Sequence, residues 1–323
     1  MSIDATGSTE TLRLFAEDLR RTAVESAEAS TIAVQQELAR GLSDAEDALE
    51  DFLMSYAEGH TGAAPEPIDE AAKDAAEEPL REGLRRLGIS ERQVLFAGEE
   101  AGNATRAVVP NMIICRQDAL DGTSPALLRW DGHASVCMID QVRADGRRGG
   151  IYARHIAGAI SCATGWVVSW AQWSRHNGVD GYRNILGAVH LANPRAGVAE
   201  FQLSSLRWDR RQGTLAAVAA TASRRSKTQQ LAKRFGISSE KAFYTTSGTP
   251  LAPALLVGAI SAVIEPNAVS LHDSALLLPF QILGGPISSP DGSALNYLRV
   301  YEANALDLRA SSRPVGGYIA WVK

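Results

Sequence analysis

Asp118-Ala-Leu-Asp-Gly-Thr-Ser-Pro125 sets two carboxylates three residues apart, just beyond the apolar run Met112-Ile-Ile-Cys115. Turns often carry Asp-Gly, because glycine accepts backbone conformations closed to other residues. A turn alone gives no reason for a second aspartate immediately upstream. A strand ending here would carry Asp118 and Asp121 to its C-terminal edge, with the Leu120 carbonyl between them. Ser124 then suits an N-cap and Pro125 the first helical position. The backbone N–H groups of Gly122 to Ser124 would point outward from that helix start. Free donors and the helix dipole attract phosphate there. Hard dications such as Mg²⁺ take oxygen ligands and complete their shell with water and phosphate oxygens. Acids beside an anion-binding turn therefore describe a place for a metal-bridged phosphate ester, with the Thr123 hydroxyl able to orient a water.

Two other acidic positions extend this reading. Glu99, in Gly98-Glu99-Glu100, follows the strand-like residues 93–97 (QVLFA). Asp273, in His272-Asp273, comes after Ile264-Glu265-Pro266 and opens the apolar stretch SALLLPF, which runs into Gly284-Gly285. Taken singly, Glu99-Glu100 reads as a solvated turn and Asp273 as a helix N-cap. Together with Asp118 and Asp121 they describe one shared site.

The rest of the chain sets the frame. Its 323 residues allow a large core and two subdomains, and 45% hydrophobic with 21% charged residues is ordinary globular composition. A formal net charge of −5 argues against a general binder of nucleic-acid polymers or membrane surfaces. The three cysteines, Cys115, Cys137 and Cys162, form no CxxC pair and read as buried thiols of a reducing cytoplasm. The start, MSIDATGSTETLRLF, lacks the apolar segment of a signal peptide, and the apolar stretch 251–264 is broken by Pro253, Gly258 and Ser261. The six histidines show no HxxxH pair, which speaks against zinc. No G-x-S-x-G elbow or Walker pattern is present, and the Cys137-x5-Arg143 spacing falls within an expected strand and not a loop.

Periodicity gives the coarse organisation. Leu12, Phe15, Leu19 and Ala23 recur at helical spacing, a longer helix is expected over 31–56, and another over 69–87, ending near Gly88. Strands are expected at 93–97, 107–115, 134–143 and 150–154, the last two flanking a hairpin at Asp145-Gly146, with 158–163 and 165–170 extending the same antiparallel sheet. Beyond Asn184, strands at 215–220, 242–246, 262–264 and 285–289 alternate with helices at 226–235, 250–259 and 273–280. Such alternation indicates an α/β layer. The division expected is an N-terminal extension (1–25), an α+β subdomain carrying the main metal site (26–184) and an α/β subdomain completing it (185–323).

Gly98-Glu99-Glu100, Asp118-Ala-Leu-Asp-Gly-Thr123 and His272-Asp273-Ser-Ala275 followed by Gly284-Gly285 resemble the inositol monophosphatase superfamily in order and spacing. Its members are metal-dependent, lithium-sensitive phosphatases of inositol phosphates, fructose bisphosphate or 3′-phosphoadenosine nucleotides. The resemblance spans roughly residues 69–292 and implies an α+β fold, an αβαβα layered sandwich, with two or three Mg²⁺ ions. It implies Glu99, Asp118, Asp121, Asp273 and the Leu120 carbonyl as metal ligands. Gly122, Thr123 and Ser124 would hold phosphate. Thr123, partnered by Asp74 of a helix, and Glu99 would serve the attacking water. Glu265 and the Gly248-Thr249 turn would face the substrate, with Asp273 near its leaving group. The position before the last metal aspartate, usually aromatic in the family, is His272 here, and residues 126–133 (ALLRWDGH) stand in place of Asn-Phe-x-x-Gly.

The function expected is hydrolysis of a small phosphorylated sugar or cyclitol by metal-activated water. A 3′(2′),5′-bisphosphate nucleotidase, a sugar bisphosphatase, and a non-catalytic metal- and phosphate-binding protein on the same fold remain open. The expected partners are a small phosphorylated substrate and a second copy of the chain, since the family often forms dimers.

Overall fold

The computed structural model describes residues 9–40, 67–98, 107–121, 132–145, 150–172, 185–193, 197–202, 214–218, 222–238, 242–245, 247–309 and 312–322. Two long helices come first: α1 (Thr9–Arg40) and α2 (Pro67–Arg86). Where the sequence suggested a short helical segment and a second helix from residue 31, α1 is continuous. No glycine or proline interrupts residues 9–40, and the helix ends just before Gly41. Residues 41–56 of the expected helix lie outside the described residues.

The first sheet has seven strands in chain order: β1 (Val94–Gly98), β2 (Ile113–Asp121), β3 (Ala134–Asp145), β4 (Gly150–Cys162), β5 (Trp166–Gln172), β6 (Ile185–Asn193) and β7 (Gly197–Gln202). Only β1 and β2 run parallel; the remaining neighbours are antiparallel. The second sheet is built from β8 (Thr214–Val218), β9 (Ala242–Thr245), β10 (Ile260–Glu265), β11 (Ile287–Ser288) and β12 (Tyr318–Trp321), in the order β11-β12-β10-β8-β9. Its strands β8, β9 and β10 are parallel, so Val218, Thr245 and Glu265 end along one edge. The boundary expected at 184/185 falls between β5 and β6 of one sheet, and the second sheet begins at Thr214.

These elements stack as five layers, helix–sheet–helix–sheet–helix. Ala16, Leu19, Ala23 and Ala27 of α1 and Leu80 and Leu84 of α2 pack on one face of the first sheet, against Ile113, Cys115 and Ile139. Residues 9–25 are thus part of the core and not an extension. On the opposite face, Ile114, Met138 and Trp170 meet a middle layer containing α4 (Ala252–Leu256), α5 (Leu277–Ile282) and α6 (Tyr297–Asn304), and beyond it Ala216, Val263 and Tyr318 of the second sheet. The outer face of that sheet, with Leu215, Ile264 and Ile319, is covered by Ala232 and Leu231 of α3 (Ala222–Arg234). Small residues let these layers approach. A Cβ on Gly158 would stand 2.4 Å from the Trp170 ring opposite it, so the indole lies flat where only glycine fits.

A buried polar node pins the middle layer to the first sheet. Asp140, His155 and Tyr301 are inaccessible to solvent. The Trp170 indole N–H donates to His155 Nε2 at 2.8 Å. Indole nitrogen only donates, so Nε2 is the acceptor and the imidazole proton sits on Nδ1. That N–H donates to Asp140 Oδ1 at 2.8 Å, and the Tyr301 hydroxyl donates to Asp140 Oδ2 at 2.8 Å. Removing the hydroxyl by Tyr301→Phe strips one donor from a buried carboxylate, which costs about 1.5–3 kcal/mol. Urea denaturation should show that loss as a lower midpoint at unchanged slope; a loss under about 0.5 kcal/mol would show that the node does not anchor α6.

Candidate active site

Local structure at β2 decides where the acids point. Successive strand residues face opposite sides of a sheet, so in a regular strand Asp118 and Asp121 would diverge. Here Asp118 lies opposite Val136 and Asp121 opposite Ala134, three residues on β2 against two on β3. This β-bulge inserts one extra residue. Ala119 and Leu120 both pack backward against Val34, Ile68 and Ala72 of the helical layer. Asp118 and Asp121 both turn toward the second sheet: Asp118 approaches His272 and Asp273, and Asp121 acts electrostatically on Cys162 and on Tyr318 of β12. The Leu120 carbonyl belongs to the bulge between them. The Ala119 carbonyl, released from regular pairing, accepts the hydroxyls of Ser30 and Ser135, each at 2.7 Å.

β1 brings the chain alongside. Gly98 pairs with Gln117, and its φ of 148° is open only to glycine. A Cβ there would meet the Gln117 carbonyl at 1.8 Å. The described strand thus ends beside the residue preceding Asp118, one residue before Glu99 in sequence. Glu99, Gly122, Thr123 and Ser124 themselves lie outside the described residues.

Asp273 arrives from the turns that lead into α5. The helix expected over 273–280 starts only at Leu277; His272 and Asp273 lie in the run of turns before it. The Ser270 hydroxyl accepts from the Asp273 backbone N–H at 3.1 Å, and an Asp273 carboxylate oxygen accepts from the Ser270 N–H at 3.3 Å. This reciprocal pair, the geometry of a capping box, fixes the aspartate. The Thr249 hydroxyl donates to the Asp273 carbonyl at 3.4 Å, so the buried Gly248-Thr249 turn braces the same loop. Ligand atoms of Asp118, His272 and Asp273 all lie within 4.8 Å of one another, and His272 Nε2 is 3.8 Å from Asp273 Oδ1. Asp121 is on the same face but outside that trio. His272 is 3% exposed, and burial drives its imidazole down to about 4 against the upward pull of Asp273, with Arg116 and Arg313 pushing the same way as burial. It is a neutral base at neutral pH.

The donor set fits a hard or borderline dication. Among the described residues four acids of the sheets are buried, Asp118, Asp121, Asp140 and Glu265, against one buried cation, Arg116. Arg116 donates to the carbonyls of Ala305 at 3.0 Å and Asp307 at 3.4 Å, tying β2 to the end of α6. Buried carboxylates need protons, donors or cations. Asp140 has its donors, and Asp118, beside Asp273, matches the oxygen ligands a dication takes.

One assignment from sequence changes, and one residue joins the candidates. Asp74 is exposed on the outer face of α2 and does not face β2. The inward face carries Ile68, Ala72, Ala76 and Leu80, and the acid on it is Asp69, 9% exposed. The four-residue apolar step from Ile68 was the signal that identifies Asp69. Ser247, not singled out from sequence, is 5% exposed beside Gly248, and its hydroxyl has no hydrogen-bond partner among the described residues.

Glu265, at the end of β10, is 3% exposed and accepts from the Asn267 N–H at 2.8 Å. Burial is the largest influence on its carboxyl, raising it to about 7; the Asn267 bond and Arg224 oppose the rise, and Asp273 adds to it. A raised carboxyl makes the folded state hold a proton that the unfolded state has released, so stability falls as pH climbs from about 4.5 to about 7. In chelator-treated protein, the melting advantage of Glu265→Gln over wild type should therefore grow between pH 5 and pH 8, by roughly 2–4 kcal/mol. A difference that stays flat across that range would contradict the burial of an ionisable Glu265.

No protein-family model and no curated relative matches the sequence. Solved structures do match. A protein from Toxoplasma gondii assigned as a sedoheptulose-1,7 bisphosphatase aligns over 98% of this chain and 95% of its own, with a TM-score of 0.59 at 14% identity. Inositol monophosphatase II from Staphylococcus aureus aligns over 97% and 92%, with a TM-score of 0.53 at 13% identity. The extragenic suppressor protein SuhB from Bartonella henselae aligns over 94% and 93%, with a TM-score of 0.53 at 12% identity. The chain has the fold of the inositol monophosphatase superfamily, the layered α+β sandwich expected from its motifs. Among the described residues no helix is long and apolar enough to cross a membrane.

Proposed function

We propose that this chain is a divalent-metal-dependent phosphomonoesterase acting on a small phosphorylated sugar or cyclitol. The observation that carries the reading is the convergence of Asp118 of β2 and Asp273 of the turns before α5, 155 positions apart in sequence, within 4.8 Å together with His272. The fold is shared with proteins whose names indicate inositol phosphate and sugar bisphosphate chemistry, which supports that substrate range.

In this reading Asp118, Asp121 and Asp273, with Glu99 and the Leu120 carbonyl, would hold the divalent cation. A bound dication lowers the pKa of water and neutralises charge on the phosphoryl oxygens. The chain supplies position and polarity. Gly122, Thr123 and Ser124 offer donors to the phosphate. Asp69, which α2 turns inward, would take the part expected of Asp74. Glu265, Ser247 and the Gly248-Thr249 turn line the substrate side; a Glu265 carboxyl held near 7 can donate as well as accept toward a sugar hydroxyl. No nucleophilic side chain is required, because an oriented water attacks phosphorus and the ester oxygen leaves.

Phosphate release from a panel of cyclitol, sugar mono- and bisphosphates and 3′-nucleotides, with Mg²⁺, tests this directly. Asp118→Asn should lower turnover by about 100-fold or more while circular dichroism stays unchanged. Undiminished metal-dependent turnover in that variant would contradict the ligand assignment. Turnover confined to 3′-nucleotides would replace the sugar reading by a nucleotidase, and no turnover of any ester with intact dication binding would favour a metal- and phosphate-binding protein.

A further inference from the structure

We infer that His272 is an inner-sphere nitrogen ligand, so that the metal centre takes a borderline transition dication in preference to Mg²⁺. The inference rests on the proposed metal centre at Asp118 and Asp273 and concerns which ion that centre selects.

The position is built for ligation. His272 and Asp273 are consecutive in a turn whose backbone is held by Ser270 and Thr249. Asp118 comes to them from the bulged end of β2, and ligand atoms of the three residues fall within 4.8 Å of one another. Nitrogen and oxygen ligands bind such ions at about 2.0–2.2 Å, which separates neighbouring donor atoms by roughly 3–4.4 Å across one ion. The 3.8 Å between His272 Nε2 and Asp273 Oδ1 lies inside that range. His272 is 3% and Asp118 1% exposed, so packing keeps the imidazole at the site, whereas Asp273 is half-open. The centre thus has two buried ligands behind and an accessible side for substrate oxygens.

Donor chemistry then sets the preference. Mg²⁺ demands near-ideal oxygen octahedra and is a poor partner for imidazole. Imidazole suits transition ions, and affinity for mixed nitrogen and oxygen sites rises from Mn²⁺ through Co²⁺. An aromatic side chain at residue 272 would leave the acids as an all-oxygen Mg²⁺ site; the imidazole adds the nitrogen that discriminates. The two neighbouring cations do not take its place as ligands, because guanidinium groups have no lone pair to offer a metal.

The test is coordination, not turnover. Full-length protein is stripped with chelator, reloaded with Mn²⁺, and studied by pulsed electron paramagnetic resonance. Wild type should show coupling to a histidine nitrogen, and protein labelled with ¹⁵N-histidine should show the corresponding isotope shift. His272→Phe, which fills the same space, should lose the coupling, with His272→Gln as the second variant should the first not fold. By calorimetry, wild type should bind Co²⁺ about 100-fold tighter than Mg²⁺, and the variant should lose about tenfold in Co²⁺ affinity with little change for Mg²⁺. Dication binding that Asp118→Asn abolishes but that shows no nitrogen coupling overturns the inference and leaves the proposed function standing. Coupling that survives in both His272 variants also overturns it, since another histidine would then be the ligand. Failure of every dication to bind overturns both readings.

Discussion

One extra residue in β2 governs the site. Side-chain alternation in a strand would send Asp118 and Asp121 to opposite faces, one into the helical layer, where Ala119 and Leu120 pack. The bulge removes that conflict, and its cost is a backbone carbonyl left without a ladder partner. The helical layer meets that cost. Ser30 of α1 and Ser135 of β3 both donate to Ala119, and Thr31 donates to Ser135. A helix that looks remote from the site therefore braces the bulge from behind, through the two small hydroxyls of Ser30 and Thr31 in its buried face.

The middle layer contains two polar clusters of opposite character. Around Asp140 every acceptor has a donor at 2.8 Å, the histidine tautomer follows from the partners, and solvent is excluded. Such a node specifies packing and is expensive to disturb. Around Asp118 and Asp273 acids from separate elements stand close together instead. Glu265 is driven to about 7 by burial, and the Ser247 hydroxyl finds no acceptor among the described residues. Both clusters combine an acid and a histidine, and sequence gives no means to tell them apart. The difference lies in the second partner: Asp140 and His155 have Tyr301 and Trp170, while Asp118 and His272 have another acid.

The sequence made the strand-end acids legible because they break a pattern. Asp118 and Asp121 interrupt a buried strand where burial alone would place apolar residues, and Gly98 marks the close approach of β1. The hairpin between β3 and β4 was legible from Asp145-Gly146, and α2 from its spacing and the Gly88 that follows it. What stayed hidden depended on tertiary context. Asp74 and Asp69 differ only in which face of α2 they occupy, and an alanine-rich helix leaves that face weakly marked. The short strand β12 is four residues whose role as a partner of both β10 and β11 comes from pairing, not from length. The turns at His272 read as a helix start because Asp is a good N-cap, and the capping pair with Ser270 is present but three residues ahead of α5. His272 registered as a change of residue type, not as a member of the site, since nothing in linear sequence places it near Asp118.

Stability bears on the proposed metal site. Burying an acid costs hydration, so a fold selected for packing alone would place an apolar residue of similar size at Asp118. The neighbouring positions show what that alternative looks like: Ile114, Met138 and Val136 fill the same face with hydrocarbon. A ligand that binds only the folded chain adds its binding free energy to folding and offsets that penalty. On the proposed reading, an acid pair and a histidine held by a bulge, a capping pair and a threonine would therefore draw part of their folded-state stability from the ion they bind.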